Sequence, residues 1–129
     1  MNVLVDSSVW IDYFRGSGNG DALDLLIDEN LICTNELILA ELIPFLWIKR
    51  QRKLIDLFQS MQRLPPDIDW DKIIEFQLKS IRAGVNKVGV PDLVIAQNAI
   101  QHGATVFSLD NHFSLMSQSL SFNVFGGSE

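Results

Sequence analysis

Apolar and polar positions along the chain fall into two kinds of run. Short continuous apolar runs, such as Val3-Leu4-Val5 and Leu31-Ile32-Cys33, fit strands buried on both faces. Longer runs repeat apolar residues every three or four positions and predict helices. Residues 2–6 predict a first strand, and Ser7 or Ser8 caps a helix to Phe14. The run Arg15-Gly16-Ser17-Gly18-Asn19-Gly20 predicts a loop. Residues 21–29 predict a helix with Ala22, Leu23, Leu25 and Leu26 on one face. After a strand at 31–33, Thr34 or Asn35 caps a helix through Leu46 or beyond, which Pro44 is expected to kink or break. Residues 50–62 predict a basic amphipathic helix burying Leu54, Leu57, Phe58 and Met61.

A turn or short edge segment at 64–67 precedes a helix that begins at Asp69 or Asp71 and runs to Ala83. A loop over 84–91 follows, then a helix capped by Asp92 and ending near Gly103. Residues 105–109 predict a strand, 111–117 a short helical turn and 121–125 a last strand, with 126–129 expected as a mobile tail. The alternation predicts a single α/β domain over 1–125 with a central parallel sheet of four to five strands and helices on both faces.

Acidic residues fall where strands should stop and helices begin. Asp6 follows Val3-Leu4-Val5, Asp92 follows Val90-Pro91, and Asp110 follows the strand at 105–109. Glu41 interrupts the apolar stretch Leu37-Ile38-Leu39-Ala40-Glu41-Leu42-Ile43. Each has a plain structural reading: Asp92 and Asp110 as helix caps, Glu41 on a solvent stripe or paired with a base. Asp6 fits such a reading least, because Asp is depleted in buried strands. Jointly they predict one crevice of carboxylates at the carboxyl ends of parallel strands. Like charges gathered there raise each other's pKa, and a hard divalent cation such as Mg²⁺ or Mn²⁺ relieves that repulsion. One or two ions are compatible with the pattern, and the chemistry it suits is attack of water on a phosphate.

Composition refines this picture. With 47% hydrophobic residues and a mean hydropathy of +0.17 over 129 residues, some apolar surface suits cover by a second copy or a partner; a well-filled core is the equal alternative. The formal charge of −6 gives no electrostatic footprint for nucleic acid by itself. Lys49, Arg50, Arg52 and Lys53 nonetheless cluster, as do Lys79, Arg82 and Lys87 more loosely. The single cysteine, Cys33, reads as core and excludes an internal disulfide. The opening residues lack a basic, apolar leader, and no apolar stretch reaches the roughly 20 residues of a membrane span. A cytoplasmic location is expected.

Rival chemistries lack their motifs. The chain has no Gly-rich phosphate loop, and Ser7 and Ser8 lie outside a nucleophile elbow. His102 and His112 have no zinc-type spacing; His102 suits a helix terminus, and His112, which follows Asp110 closely, could reach the acids, with a surface turn the better reading. A phospho-acceptor switch would need a second acid beside Asp6 and a late lysine, whereas Ser7-Ser8 follow Asp6 and no Lys or Arg follows Lys87.

The segment from Val3 through Asp6-Ser7-Ser8-Val9-Trp10-Ile11-Asp12 to Gly16 resembles the opening of PIN-domain nucleases, in particular VapC-type toxins of type II toxin–antitoxin systems. Leu39-Ala40-Glu41-Leu42, Pro91-Asp92-Leu93-Val94-Ile95-Ala96 and Ser108-Leu109-Asp110-Asn111-His112-Phe113 resemble the later acidic motifs in order. Thr is commoner in the family where Ser108 stands. The resemblance implies a metal-dependent endoribonuclease that leaves a 5′-phosphate and a 3′-hydroxyl. Asp6, Asp92 and Asp110 would be metal ligands, and Glu41 would ligate metal or orient the attacking water. Ser7 would steady a carboxylate or a water, or simply cap its helix. The family implies a homodimer and a cognate antitoxin that lays a helix or tail into an apolar groove. Phe45, Leu46 and Trp47, with Trp10 and Phe14, could line such a groove or pack in the core. Arg15, Lys49, Arg50, Arg52 and Lys53 are the candidates for RNA phosphate contacts, with a solvated helix face as the alternative. A PIN-like binding module with little hydrolysis, and an RNA-processing nuclease that is not a toxin, are the other readings.

Overall fold

Four short parallel strands form the centre of the molecule: β1 (Val3–Val5), β2 (Ile32–Cys33), β3 (Thr105–Phe107) and β4 (Asn123–Val124). The computed structural model describes residues 1–16, 20–86 and 88–126. Among the described residues seven helices surround the sheet: α1 (Ser7–Phe14), α2 (Gly20–Asp28), α3 (Glu36–Ile48), α4 (Arg52–Ser60), α5 (Trp70–Arg82), α6 (Val90–His102) and α7 (Asn111–Leu120). The strand order is β2-β1-β3-β4. The chain leaves β1 for one side of the sheet and later returns to β3 on the other. That reversal opens a crevice beyond the carboxyl ends of β1 and β3, where open α/β sheets place their ligands.

Strand side chains alternate between two cores. Leu4 and Val106 face the cluster built mainly from α5, α6 and α7, which includes Leu93, Ile95, Phe113 and Met116. Val3, Val5 and Phe107 face the opposite cluster, which holds Trp10, Leu23, Leu42 and Phe58. The continuous apolar strand runs follow from this two-sided cover. Helix α6 is the most enclosed helix, with every residue from Leu93 to Ala99 buried. Its buried amides are satisfied. Asn98 Nδ2 donates to the Leu64 carbonyl at 3.0 Å, and its Oδ1 accepts from Asn35 Nδ2 at 2.9 Å. Gln97 bridges both backbone groups of Asp69.

The predicted helix starts are partly corrected. Asn35 and Asp69 cap α3 and α5 with their side chains, as the sequence suggests. Asp6, rather than Ser7 or Ser8, occupies the cap position of α1, and its carboxylate makes no capping hydrogen bond. Gly89 starts α6, so Asp92 lies inside the first turn with its carboxylate free for other work. Pro44 does not break α3, which runs through it to Ile48. Exposed Ala40, whose carbonyl loses its partner, can turn to water instead. Leu25 and Leu57, expected in buried stripes, are exposed at 57% and 62%. Leu23 and Leu26 carry α2's contact, and Ile55 joins Phe58 in α4. The expected turn at 111–117 extends to Leu120 as a full helix anchored by Phe113, Met116 and Leu120. The edge segment near 64 is a single parallel bridge between Thr34 and Arg63. Of the expected tail, residues 127–129 lie outside the described residues, as do Lys87 and 17–19 of the first loop.

Candidate active site

All four acids converge on the crevice beyond β1 and β3. Asp6 ends β1 and is 7% exposed. Its Oδ2 accepts from Ser8 Oγ and from Ser108 Oγ, both at 2.9 Å. Ser8 in turn accepts from the Leu109 backbone N–H at 3.2 Å, and Ser108 from that of Asp110 at 3.0 Å. Each hydroxyl has one proton, and both are spent on Asp6, so the 3.4 Å approach of the two oxygens is packing. This clasp ties the start of α1 to the turn after β3. It leaves Asp6 Oδ1 without a hydrogen-bond partner among the described residues.

Asp110 caps α7 by accepting from the His112 backbone N–H at 2.9 Å. Asp92 is half-buried beside it. Its carboxyl is pushed up to about 6, first by burial and then by the charges of Asp110 and Asp6, against a pull downwards from His112. Glu41 projects from the middle of α3. Partial desolvation raises its pKa first, then repulsion from Asp6 and Asp92, while the Ser7 hydroxyl opposes the shift. The Ser7–Glu41 contact is long, 3.5 Å, and Glu41 as a residue is exposed, which limits the rise.

A carboxyl whose pKa is higher in the folded than in the unfolded chain favours folding only while protonated. The contribution of Asp92 is therefore full below its unfolded value of 3.8 and lost as pH rises through about 6. Discounted for solvent screening, the effect is about 1–2 kcal/mol. Metal-free protein is expected to lose a few degrees of Tm to this group between about pH 4 and 7, and Asp92→Asn should remove that loss. Identical pH profiles for the two proteins would contradict it.

His112 departs from its expected place on a surface turn. It is half-buried, with Nδ1 3.2 Å from Asp110 Oδ1 and 3.9 Å from Asp92 Oδ2. Asp92, Asp110 and His112 each offer a ligand atom within 4.8 Å of the others. Nδ1 is shielded from water and, among the described residues, lacks a hydrogen-bond partner of acceptable geometry, despite its closeness to Asp110. Raised carboxyl pKa values, an oxygen-rich donor set and an orphaned buried nitrogen fit a divalent cation.

The sequence signals missed the roles of Ser8 and Ser108, and for His112 they offered a place near the acids but favoured a surface turn. The two serines stand two positions from Asp6 and Asp110, a spacing that lets a hydroxyl reach a neighbouring carboxylate or backbone group. His112 follows a capping aspartate by two, which turns its ring back toward the cap. Among the described residues none of the predicted bases forms an ion pair with the four acids. Arg15 and Lys49 lie over the Phe45 ring at 6.0 and 5.9 Å, and Arg52 over Trp47 at 5.4 Å. Arg50 and Lys53 are exposed nearby. Glu41 and Phe45 on α3 and Lys49 at its carboxyl-terminal cap follow one another at four-residue steps, so this basic and aromatic surface begins about one turn from Glu41. Phe14, Phe45, Leu46 and Leu54 line an open hollow of about 340 Å³ rimmed by Arg15 and Lys49. Trp10 and Leu46 are core residues, whereas Trp47 is 54% exposed.

A family model described as the PIN domain matches residues 3–118. The chain belongs to the PIN-domain family. PIN domains are generally nucleases and use divalent metals. Among solved structures the chain is similar to VapBC2 from Rickettsia felis bound to a DNA fragment from their promoter, at 19% identity and TM-score 0.73, covering 96% of this chain and 97% of that one. It is also similar to FitAcB from Neisseria gonorrhoeae at 23% identity and TM-score 0.70, with 96% of each chain covered. DNA-bound VapBC from Salmonella typhimurium aligns at 17% identity and TM-score 0.71, again over 96% of both. These likenesses establish the PIN fold over nearly the whole chain. Among curated proteins, no sequence match is found. No helix among the described residues is long and apolar enough to cross a membrane.

Proposed function

We propose that this PIN domain is a Mg²⁺- or Mn²⁺-dependent endoribonuclease and the toxin of a toxin–antitoxin pair. The observation that carries the reading is the convergence of Asp6, Glu41, Asp92 and Asp110 on the crevice, with Asp92 raised to about 6 by burial and by its acidic neighbours. Asp92 and Asp110 hold the ion, and Asp6 presents its unbonded Oδ1 to the same space. When bound, one or two ions supply Lewis acidity toward water and the scissile phosphate. Glu41, the most exposed of the four, meets incoming substrate and orients the attacking water. Arg15, Lys49, Arg50, Arg52 and Lys53 contact RNA phosphates along the surface that leads from Glu41.

The similar structures bear the names VapBC and FitAcB, toxin–antitoxin complexes, which supports an antitoxin as partner. The hollow at Phe14 and Phe45 suits an apolar antitoxin segment. Helix α5 exposes Ile74, Leu78 and Ile81, a face suited to pairing two copies. The protein acts in the cytoplasm, where Cys33 stays reduced.

Ser8 and Ser108 position Asp6 rather than touch substrate. Ser8→Ala with Ser108→Ala is expected to slow cleavage about 10–100-fold, as loss of ligand-orienting contacts does elsewhere, with circular dichroism unchanged. Wild-type rates in the double variant would remove that role.

The test is incubation of purified, partner-free protein with total cellular RNA, with Mg²⁺ or Mn²⁺ or with EDTA. Cutting at a few discrete sites is expected, lost in EDTA and in Asp6→Asn. A folded, metal-loaded protein that cuts nothing would instead favour a PIN-like binding module, in keeping with its exposed apolar face and charge of −6.

A further inference from the structure

We propose that His112 is a metal ligand, and that its ring nitrogen makes the crevice select a first-row transition ion such as Mn²⁺ over Mg²⁺. The inference rests on the reading of the crevice as a cation site and names an additional donor within it. Three features carry it.

The first is convergence: Nδ1 of His112 lies 3.2 Å from Asp110 Oδ1 and 3.9 Å from Asp92 Oδ2. Adjacent ligands held about 2.1 Å from one octahedral ion are about 3 Å apart, so a small contraction would let all three donors reach the same ion. The second is the state of the nitrogen. Nδ1 is shielded from solvent and has no hydrogen-bond partner among the described residues. A ring nitrogen left so in a folded protein is costly unless something binds it. The third is rigidity. The His112 backbone N–H donates to Asp110 Oδ1 at 2.9 Å, and Phe113 next to it is fully buried. The cap therefore fixes the start of the side chain that the ion would use.

Donor chemistry then sets the preference. Carboxylates serve Mg²⁺ and Mn²⁺ alike, whereas imidazole favours transition ions and Mg²⁺ prefers oxygen. A site of acids alone would discriminate little between the two. One nitrogen among them tilts the balance.

The test is equilibrium binding rather than turnover. Metal-free wild type, His112→Gln and Asp92→Asn are titrated with Mn²⁺, free ion being read by electron paramagnetic resonance, and with Mg²⁺ as competitor. Wild type is expected to bind Mn²⁺ in clear preference to Mg²⁺, with pulsed spectra showing nitrogen coupling to the bound ion. His112→Gln should bind Mn²⁺ at least about tenfold more weakly, lose the coupling and lose most of the preference. Asp92→Asn should lose binding at this site. Absence of nitrogen coupling in wild type, or equal Mn²⁺ affinity in the glutamine variant, would overturn the proposal whether or not RNA is cut. A wild type that shows the coupling but cuts no RNA would overturn the nuclease reading and leave His112 as a ligand.

Discussion

Asp92→Asn is expected to abolish metal-dependent RNA cleavage while raising the Tm of the metal-free protein above pH 6. The two effects have one cause. Asp92 is half-buried beside Asp110 and Asp6, and its carboxyl titrates near 6 because the site resists its charge. The neutral amide relieves that repulsion, so the apo fold gains stability where the wild type carries an extra anion. The same change removes a hard oxygen anion from the ion's ligands. Metal catalysis supplies several kcal/mol, so its loss is expected to slow cleavage by at least about 10³-fold. Rates under saturating Mn²⁺ and thermal unfolding in EDTA check the two halves. A variant that loses activity only by unfolding would contradict the account, as would one that keeps both activity and wild-type stability. Opposite signs in function and stability mark a residue held for chemistry rather than packing.

Phe113→Ala should cost about 3–5 kcal/mol of stability, the range for truncating a buried aromatic. Phe113 is 1% exposed and packs in the cluster shared by α6, α7 and the sheet. It also anchors the turn that carries Asp110 and His112. Metal affinity is therefore expected to fall with stability, because the first turn of α7 loses its anchor. Urea denaturation measures the first effect and Mn²⁺ titration the second. A loss below about 1 kcal/mol would mean that the site collapses around the cavity far better than a close-packed core should.

The fold was largely legible because its signals are local and agree with one another. Two-sided burial gives Val3-Leu4-Val5 and Thr105-Val106-Phe107 unbroken apolar runs, and the capping residues Asn35 and Asp69 mark two helix starts. The errors have physical reasons too. Pro44 reads as a residue that kinks or breaks a helix; α3 is not broken there, and Leu42 and Leu46 on either side are buried. Leu25 and Leu57 lie at the margins of their stripes, where spacing alone does not decide burial. Asp92 resembles a cap because aspartate favours that position, yet Gly89 starts the helix and leaves the carboxylate to the crevice.

Within the candidate site, Asp6 and Asp110 stood out because each follows an apolar strand run, where a carboxylate has few structural uses. Glu41 and Asp92 lie in helices α3 and α6 and stood out as acids within apolar stretches. The supports did not stand out. Ser8 and Ser108 are separated by 100 positions, and only the pairing of β1 with β3 brings both to Asp6. His112 depends on the cap of α7, which the sequence showed only as a short turn.

The most direct measurement is anomalous diffraction from crystals of this protein soaked in Mn²⁺. A peak is expected in the crevice within ligand distance of Asp92 and Asp110, facing Asp6 and Glu41, and absent from Asp92→Asn crystals. Full Mn²⁺ loading elsewhere on the molecule, with the acids still linked only to one another and to solvent, would contradict the claim that this crevice is the metal centre.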